Sequence, residues 1–282
     1  MNNRLQRAVF PTHTSSRVIS ILSGKGGVGK SVIAMALAEQ FTALGKRVLL
    51  VDADFGCGNL HILCNLPVKA GVREYITDSA KLETVTTEIR TGWHLLADNC
   101  STNAEEFRSI SKSAELIARL NSEAGAFERI IIDHGSGIND AATTIASGSD
   151  LSLVMIVPEL TSISDGFGLC KYLTSQNKSL ALQAVLNRCL DKAEADDLTV
   201  KFESICGQLL KRAIPVVGWI PEDPVIRSSV ARQRPPAETN LQAPAVQALS
   251  GLAQALVSYP VKPQFNSTQT INDAARAADI RG

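Results

Sequence analysis

Seven short apolar segments, separated by helical patterns, set the fold class of this chain. They span residues 17–22, 47–52, 92–97, 129–133, 151–157, 182–188 and 214–221. The segments are rich in β-branched residues and apolar at nearly every position, which is typical of strands buried on both faces of a sheet. Between them lie patterns such as residues 31–44, where apolar residues recur every three or four positions. This alternation predicts an α/β fold with a single doubly wound, mainly parallel sheet and helices on both faces.

Composition limits the classes of function. The chain has 282 residues, 45% of them hydrophobic, and 28 basic residues balance 28 acidic ones. A net charge of zero excludes a protein-wide attraction to nucleic acid or to anionic membranes, although local patches remain possible. The six cysteines form no CxxC pair, and no run of 18 apolar residues is present. We therefore expect a reduced, cytoplasmic protein without a transmembrane helix.

The chain divides into one domain and two tails. Residues 1–16 carry arginines but no acid, and they predict a flexible basic tail. Residues 258–282 turn polar and contain prolines, which predicts a second tail. No linker interrupts residues 17–257, so we expect a single domain there.

The stretch "GKGGVGKS" at residues 24–31 follows an apolar segment and precedes a helical one. It also contains GxGxxG, and Asp52 follows at a strand end, so a nicotinamide-binding site is an alternative. The complete GxxxxGK[ST] motif favours phosphate instead, because glycines allow backbone amides to face a phosphate at a helix N-terminus. Lys30 can then reach the β- and γ-phosphates and the Ser31 hydroxyl can bind Mg²⁺. The motif predicts a nucleoside triphosphate site.

A second lysine, Lys25, precedes two glycines and gives the deviant Walker A form KGGxGK[ST]. With this motif the sequence resembles the MinD/ParA family of P-loop ATPases. The resemblance implies that Lys25 reaches the phosphates of a partner subunit's ATP, so that ATP binding drives formation of a homodimer. It also implies a list of ATP-binding loop residues: Gly24, Lys25, Gly26, Gly27, Val28, Gly29, Lys30, Ser31 and Val32.

The segment "VDADFGCGNLHIL" at residues 51–63 matches the next family motif. The resemblance implies that Asp52 contacts the Mg²⁺ shell and that Asp54 orients the attacking water, which makes Lys25, Lys30 and Asp54 the catalytic residues. It also implies that Asn59 belongs to a first switch near the γ-phosphate. His61 stands where many relatives have aspartate, and we expect it to have a surface or packing role.

The segment "RIIIDHGSGIND" at residues 129–140 has the Walker B pattern. Asp133 would hold Mg²⁺ through water, alongside Ser31 and Asp52. The resemblance implies a second switch at Gly135 and Gly137, and we expect His134 to be structural.

Adenine recognition is predicted from two later segments. Asn187 and Arg188 lie in the segment "VLNRC". The resemblance implies that the asparagine reads the adenine edge, and an amide is suited to this because it both donates and accepts hydrogen bonds. The segment "GWIPED" resembles the family loop whose backbone flanks adenine, which implies contacts at Pro221 and Asp223. With "PELTSISDGFGLCKYL" at 158–173, the resemblance covers residues 17–257.

The branch of the family is indicated by "DHGSGI", which resembles the flagellar-number regulators (FlhG/FleN). This implies an ATPase, slow and stimulated by a protein partner, that regulates the number or placement of flagella. It also implies contact of the N-terminal tail with a flagellar targeting GTPase. The alternatives are division-site positioning of the MinD type and DNA or cargo partitioning of the ParA type.

Three further interpretations have weaker support. A redox protein like the nitrogenase iron proteins needs a cysteine soon after the Walker B segment, and residues 134–169 contain none. The C-terminal tail lacks the large apolar residues of a membrane-inserting helix, so peripheral membrane binding is doubtful. Arginines 227, 232 and 234, with Lys211 and Arg212, could bind DNA nonspecifically, but a solvated helix face is the simpler interpretation.

Overall fold

The computed structural model describes residues 17–68, 70–77, 80–98, 104–122 and 126–259. The predicted N-terminal tail lies outside these ranges, and so do residues 260–282 of the predicted C-terminal tail.

Within the described residues, eight strands form one sheet in the order β3-β4-β2-β5-β1-β6-β7-β8. Every neighbouring pair is parallel except β3 and β4. The predicted doubly wound, mainly parallel sheet is therefore confirmed. The strands are β1 Val18–Leu22, β2 Val48–Ala53, β3 Thr87–Arg90, β4 Trp93–Leu96, β5 Arg129–His134, β6 Leu151–Ile156, β7 Leu182–Cys189 and β8 Val216–Pro221.

One strand, β3, is not among the seven predicted segments. Its sequence TEIR is polar at most positions, and its residues are partly exposed because it is the antiparallel edge of the sheet. The continuous apolar runs that identify buried parallel strands do not occur in an edge strand of this kind.

The helices of the described ranges cover both faces of the sheet. None of them has the length and hydropathy that a bilayer-spanning helix requires. They are α1 Lys30–Ala43, α2 Leu60–Leu63, α3 Val72–Thr77, α4 Leu82–Val85, α5 Ala104–Phe107, α6 Ile110–Ser122, α7 Asp140–Ser147, α8 Leu160–Gln176, α9 Lys192–Leu210, α10 Pro224–Arg232, α11 Pro236–Thr239 and α12 Pro244–Val257.

The two faces of β1 show how the core is divided. Ile19 and Ile21 pack in the cluster that includes α1 and α12, whereas Val18 and Leu22 belong to clusters on the other face. Helix α1 is buried on more sides than its three- and four-residue spacing predicts, since every residue from 33 to 41 is buried. It packs against the sheet on one side and against α11 and α12 as well. A helix that is enclosed in this way buries most of its circumference.

Parallel strands bring the predicted motifs to one edge of the sheet. The carboxyl ends of β1, β2 and β5 are adjacent, and Asp133 lies opposite both Ile21 of β1 and Asp52 of β2. Ligand sites of doubly wound sheets form at such an edge, where the winding direction reverses.

Candidate functional site

The phosphate-binding loop joins β1 to α1. Gly29, in the left-handed region with φ of 88°, is the residue that precedes the helix, and the first turn of α1 contains no acidic side chain. Gly24 approaches α8 so closely that an added Cβ would lie 2.2 Å from the carbonyl oxygen of Asp165. The loop is thus fixed against α8 and leaves the amide end of α1 suited to an anion.

Lys30 is hydrogen-bonded to the Walker B aspartate. Its Nζ lies 3.1 Å from Oδ1 of Asp133, and the two side chains are 8% and 1% exposed. Burial raises the pKa of Asp133, while Lys30 and a hydrogen bond from Ser31 act in the opposite direction. The fold therefore brings Lys30, Ser31 and Asp133 into one buried hydrogen-bonded cluster.

Asp52 is the neighbour of Asp133 on the adjacent strand. Burial, and then the charge of Asp133, raise the pKa of Asp52 to about 8. Its Oδ1 accepts the amide of Asp54 at 3.2 Å, and its Oδ2 accepts the amide of Leu60 at 3.0 Å. Both oxygens thus hold the backbone of the loop after β2, in addition to the Mg²⁺-shell role that the sequence predicts.

Asp54 brings the two predicted switches together. A Cβ added to Gly135 would lie 2.8 Å from Oδ1 of Asp54, so the absence of a side chain at 135 allows the carboxylate to approach. The amide of Gly137 donates to the carbonyl of Ser23 at 2.9 Å, which ties the second switch to the end of β1. Asn59 is exposed at the start of α2, and its side chain makes no capping hydrogen bond.

Lys25 lies at the rim of this cluster. Its Nζ is 2.5 Å from Oε2 of Glu159 and 3.0 Å from Oγ1 of Thr161, at the start of α8. The side chains of Lys25 and Glu159 are 36% and 51% exposed, and the contact with Lys25 lowers the pKa of Glu159. The "PELTS" segment therefore holds the second lysine near the surface, whereas Lys30 points into the buried cluster.

The residues predicted to recognise adenine fall into two groups. Asn187 is buried, and its Nδ2 donates to the carbonyl of Val28 at 2.8 Å, so it contacts the phosphate-binding loop directly. Arg188 is exposed and pairs with Glu222. Their roles toward a nucleotide stay predictions.

Asp223 is committed to backbone amides. Its two oxygens accept Val225 of α10 at 2.8 Å and Ala245 of α12 at 3.1 Å. Pro221, two residues earlier, ends β8 opposite Cys189. A contact of Asp223 with adenine is therefore expected from its backbone, as the resemblance implies.

His134 has a structural environment. It is fully buried, its Nε2 lies 2.8 Å from Ser20 Oγ, and burial, together with Lys30, lowers its pKa to about 3. The imidazole is therefore neutral at physiological pH. It lies on the face of the sheet opposite to the Asp133 carboxylate, since the two residues are consecutive in β5. His61, in α2, is partly buried.

The carboxylates fit Mg²⁺ only as a partial ligand set. Among the described residues, no group of three or more His, Cys, Asp or Glu side chains is arranged to hold a metal ion. Mg²⁺ in nucleotide sites takes one or two carboxylates or hydroxyls and completes its shell with phosphates and water. The Ser31 hydroxyl beside the carboxylate of Asp133 supplies the hard oxygen donors that this arrangement needs.

Asp98 and Arg108 were missed by the sequence reasoning. Asp98 follows β4, and its Oδ2 accepts the amides of Gly56 and Gly58, while Arg108 donates to the carbonyl of Phe55. An acid directly after an apolar strand is the same signal that identified Asp52, so Asp98 could have been found from the sequence. Nothing in the sequence points to Arg108.

The basic residues that the sequence groups as a possible DNA-binding cluster are divided between the two ends of β8. Arg227 and Arg232 lie in α10, beyond the carboxyl end of β8, whereas Arg212 precedes the amino end. A six-residue strand separates these positions by roughly 17 Å. The guanidinium of Arg212 is also used locally, because it donates to the carbonyls of Lys178 and Leu180.

Comparison with known proteins follows the same lines. The family model described as the CobQ/CobB/MinD/ParA nucleotide binding domain matches residues 19–236. The antiactivator FleN of Pseudomonas aeruginosa is 28% identical over 245 residues, which cover 87% of this chain and 88% of that protein. The flagellum site-determining protein YlxH of Helicobacter pylori is 29% identical over 181 residues, covering 63% of this chain and 60% of that protein. Among solved structures, the septum site-determining protein MinD of Pyrococcus horikoshii, complexed with Mg-ADP, aligns with a TM-score of 0.70 and 25% identity over 85% of this chain and 95% of its own.

Proposed function

The chain belongs to the CobQ/CobB/MinD/ParA nucleotide-binding family, and we propose that it is an ATP-hydrolysing switch that dimerises when it binds ATP. The observation that supports this most is the pair of lysines in one loop with different environments. Lys30 is buried against Asp133, whereas Lys25 is held at the rim by Glu159. A lysine at the rim is available to the nucleotide of a facing subunit.

The proposed chemistry is mainly positioning and charge neutralisation, as in other phosphoryl transfers. Mg²⁺·ATP supplies the reacting phosphate. The amide end of α1 and Lys30 bind the phosphate charge, and Ser31 and Asp133 provide oxygen ligands. Asp54, half-buried beside Gly135, accepts a hydrogen bond from the attacking water and orients it. Lys25 of each subunit neutralises part of the negative charge on the phosphates of the partner's ATP.

The role that we propose is regulation of the number or placement of flagella. The relatives FleN and YlxH support this assignment, and each matches at 28–29% identity. Relatives named MinD match at 26–29% identity, so division-site positioning is the alternative. Partitioning on DNA is less supported, because Lys211 and Arg212 lie at the other end of β8 from Arg227, Arg232 and Arg234.

The first experiment separates ATP binding from dimer formation. Purified protein, Lys30→Ala and Lys25→Ala are compared for fluorescent ATP binding, for phosphate release, and for molar mass by light scattering with Mg²⁺·ATP. Lys30→Ala should lose binding by about tenfold or more, because one charge-assisted contact is removed. Lys25→Ala should retain binding but remain a monomer and lose turnover.

A matched control is Lys201→Ala. Lys201 is an exposed lysine that pairs with Asp197 on α9, and its loss should alter none of the three measurements. A Lys25→Ala protein that hydrolyses ATP and dimerises normally would show that the second lysine is not the dimer contact. If the wild-type protein releases no phosphate, alone or with any partner protein, the ATPase assignment is wrong.

The cellular role is tested by capture from the native host. Asp54→Ala loaded with Mg²⁺·ATP should trap the dimer, and the ADP-loaded protein is the control. Flagellar basal-body or targeting components in the ATP sample support the flagellar role. Division inhibitors, or DNA with its binding protein, assign the switch to the corresponding alternative.

A further inference from the structure

We propose that Asp98 is a positioning residue for the loop that carries Asp54, and that Arg108 holds the same loop through a carbonyl. The effect of Asp98 on hydrolysis rests on the ATPase function proposed above, whereas its anchoring of the loop does not.

The first observation is that one carboxylate oxygen binds two amides of this loop. Oδ2 of Asp98 accepts the amide of Gly56 at 2.8 Å and that of Gly58 at 3.3 Å, and Asp98 is only 7% exposed. Between them, the amide of Cys57 donates to the carbonyl of Asp54 at 2.9 Å. Hydrogen bonds from amides to a buried carboxylate are stronger than neutral ones. Asp98 therefore fixes the turn that immediately follows Asp54.

A second contact comes from the segment after Asp98. Nη2 of Arg108 donates to the carbonyl of Phe55 at 2.7 Å. The Phe55 side chain is buried, and its ring lies 6.3 Å from that of Phe107, centroid to centroid. The loop is thus held by its amides, by a carbonyl and by an anchored side chain. These contacts come from Asp98, which follows β4, and from Phe107 and Arg108 at the end of α5.

The glycine at position 58 shows how close these contacts are. A Cβ there would lie 2.5 Å from Cβ of Asp98 and 2.7 Å from Oδ2 of Asp52. Without a side chain at 58, both acids can approach the same turn. Asp52 holds its two ends, at Asp54 and Leu60, and Asp98 holds its middle.

The consequence for hydrolysis follows from distance. Asp54 can orient water only if its carboxylate is placed to a fraction of an ångström, and a displacement of about 1 Å can reduce the rate about a hundredfold. The two amides that donate to Asp98 belong to the loop after β2 and not to the phosphate-binding loop. Removal of Asp98 should therefore lower kcat about 10- to 100-fold and leave ATP affinity within about twofold.

The experiment compares Asp98→Ala and Asp98→Asn with the wild type. It measures kcat, KM and fluorescent ATP binding, together with hydrogen–deuterium exchange of the amides at 54–60 without added nucleotide. We expect Asp98→Ala to speed exchange at 54–60 but not at 24–31, and to lower kcat. Asn keeps an oxygen acceptor, so Asp98→Asn should recover kcat to within about fivefold of the wild type. Asp196→Ala, at an exposed acid of α9, is the matched control and should change neither kcat nor the exchange at 54–60.

Each outcome is decisive. Unchanged exchange at 54–60 in Asp98→Ala overturns the anchoring, and faster exchange with a wild-type kcat overturns the positioning role. If Asp98→Ala does not fold, Arg108→Gln, at an exposed residue, must speed exchange at 54–60 and lower kcat, or the proposal fails. If the wild type hydrolyses no ATP, the proposed function fails, and the exchange measurement alone then decides whether Asp98 holds the loop.

Discussion

Replacing Lys30 by methionine tests the electrostatics of the buried cluster without using ATP. Methionine keeps most of the apolar side chain of Lys30 and removes its charge. The carboxylate of Asp133, 1% exposed, then loses a cation that lies 3.1 Å away. The ionisable groups that remain close to it, Asp52 and Asp54, are both acids and offer no replacement cation.

The magnitude follows from the burial of both partners. Breaking a buried ion pair by removing one member costs about 3–5 kcal/mol. In a protein of this size each kcal/mol lowers the melting temperature by about 2–4 °C, so we expect a loss of about 6–20 °C. Adding Asp133→Asn removes the unpaired charge, and the double variant should regain most of this loss.

The pKa of Asp133 predicts how the stability lost in Lys30→Met changes with pH. Burial raises the folded pKa of Asp133, and Lys30 opposes that rise, so Lys30→Met should raise it further. A carboxyl whose pKa is raised in the folded protein stays protonated there to a higher pH than in the unfolded protein. Stability therefore falls as pH rises above the unfolded value near 4, until the folded pKa is reached. The deficit of Lys30→Met should be larger at pH 8 than at pH 5.

Thermal unfolding followed by circular dichroism, in EDTA and without added nucleotide, measures this at both pH values. Lys201→Met removes an exposed lysine that pairs with Asp197, and it should cost less than about 1 kcal/mol. The reasoning is refuted if Lys30→Met melts within about 2 °C of the wild type at pH 8. It is also refuted if Asp133→Asn adds to the loss.

Three further changes test other contacts. Gly24→Ala places a Cβ 2.2 Å from the carbonyl oxygen of Asp165 and should cost about 1–3 kcal/mol and weaken ATP binding; an unchanged melt and affinity would contradict the close packing. The pKa of Asp52, raised to about 8, predicts that without metal the wild type loses stability from about pH 4 to pH 8, and urea titrations of Asp52→Asn should show a flatter profile. Glu159→Gln weakens the exposed contact of Lys25, so it should leave the melt unchanged and raise the ATP-dependent dimer fraction by up to about fivefold in light scattering; a smaller dimer fraction would argue against release of this lysine.

Much of the fold could be predicted because its strands are buried on both faces. The seven apolar segments correspond to seven of the strands, and residues 31–44 agree with α1 to within one residue at each end. The prediction failed where burial is one-sided or partial. β3 has too few apolar residues to stand out, and the full burial of α1 depends on α11 and α12, which lie far away in the sequence.

The candidate site could be predicted in part, because its residues follow strands whose carboxyl ends meet. Lys30, Ser31 and Asp133 were expected together and lie together. The partner of Lys25 was not predicted, since Glu159 follows a different strand and only the packing of α8 against the loop brings the two together. Arg108 could not be predicted for the same kind of reason, because its contact with Phe55 joins residues 53 positions apart.

Burying the carboxylates of Asp52 and Asp98 costs free energy, and the need to hydrogen-bond the loop after β2 accounts for their presence. Burial disfavours an ionised carboxylate, because the charge loses its hydration. However, residues 54–59 form no helix or strand, and the partly buried amides among them need acceptors. Asp52 in β2 and Asp98 after β4 supply these acceptors. Contacts from β5, β7 and α8 hold the phosphate-binding loop. Because different strands fix the two loops, substitutions after β4 should affect the placement of Asp54 separately from the binding of phosphate.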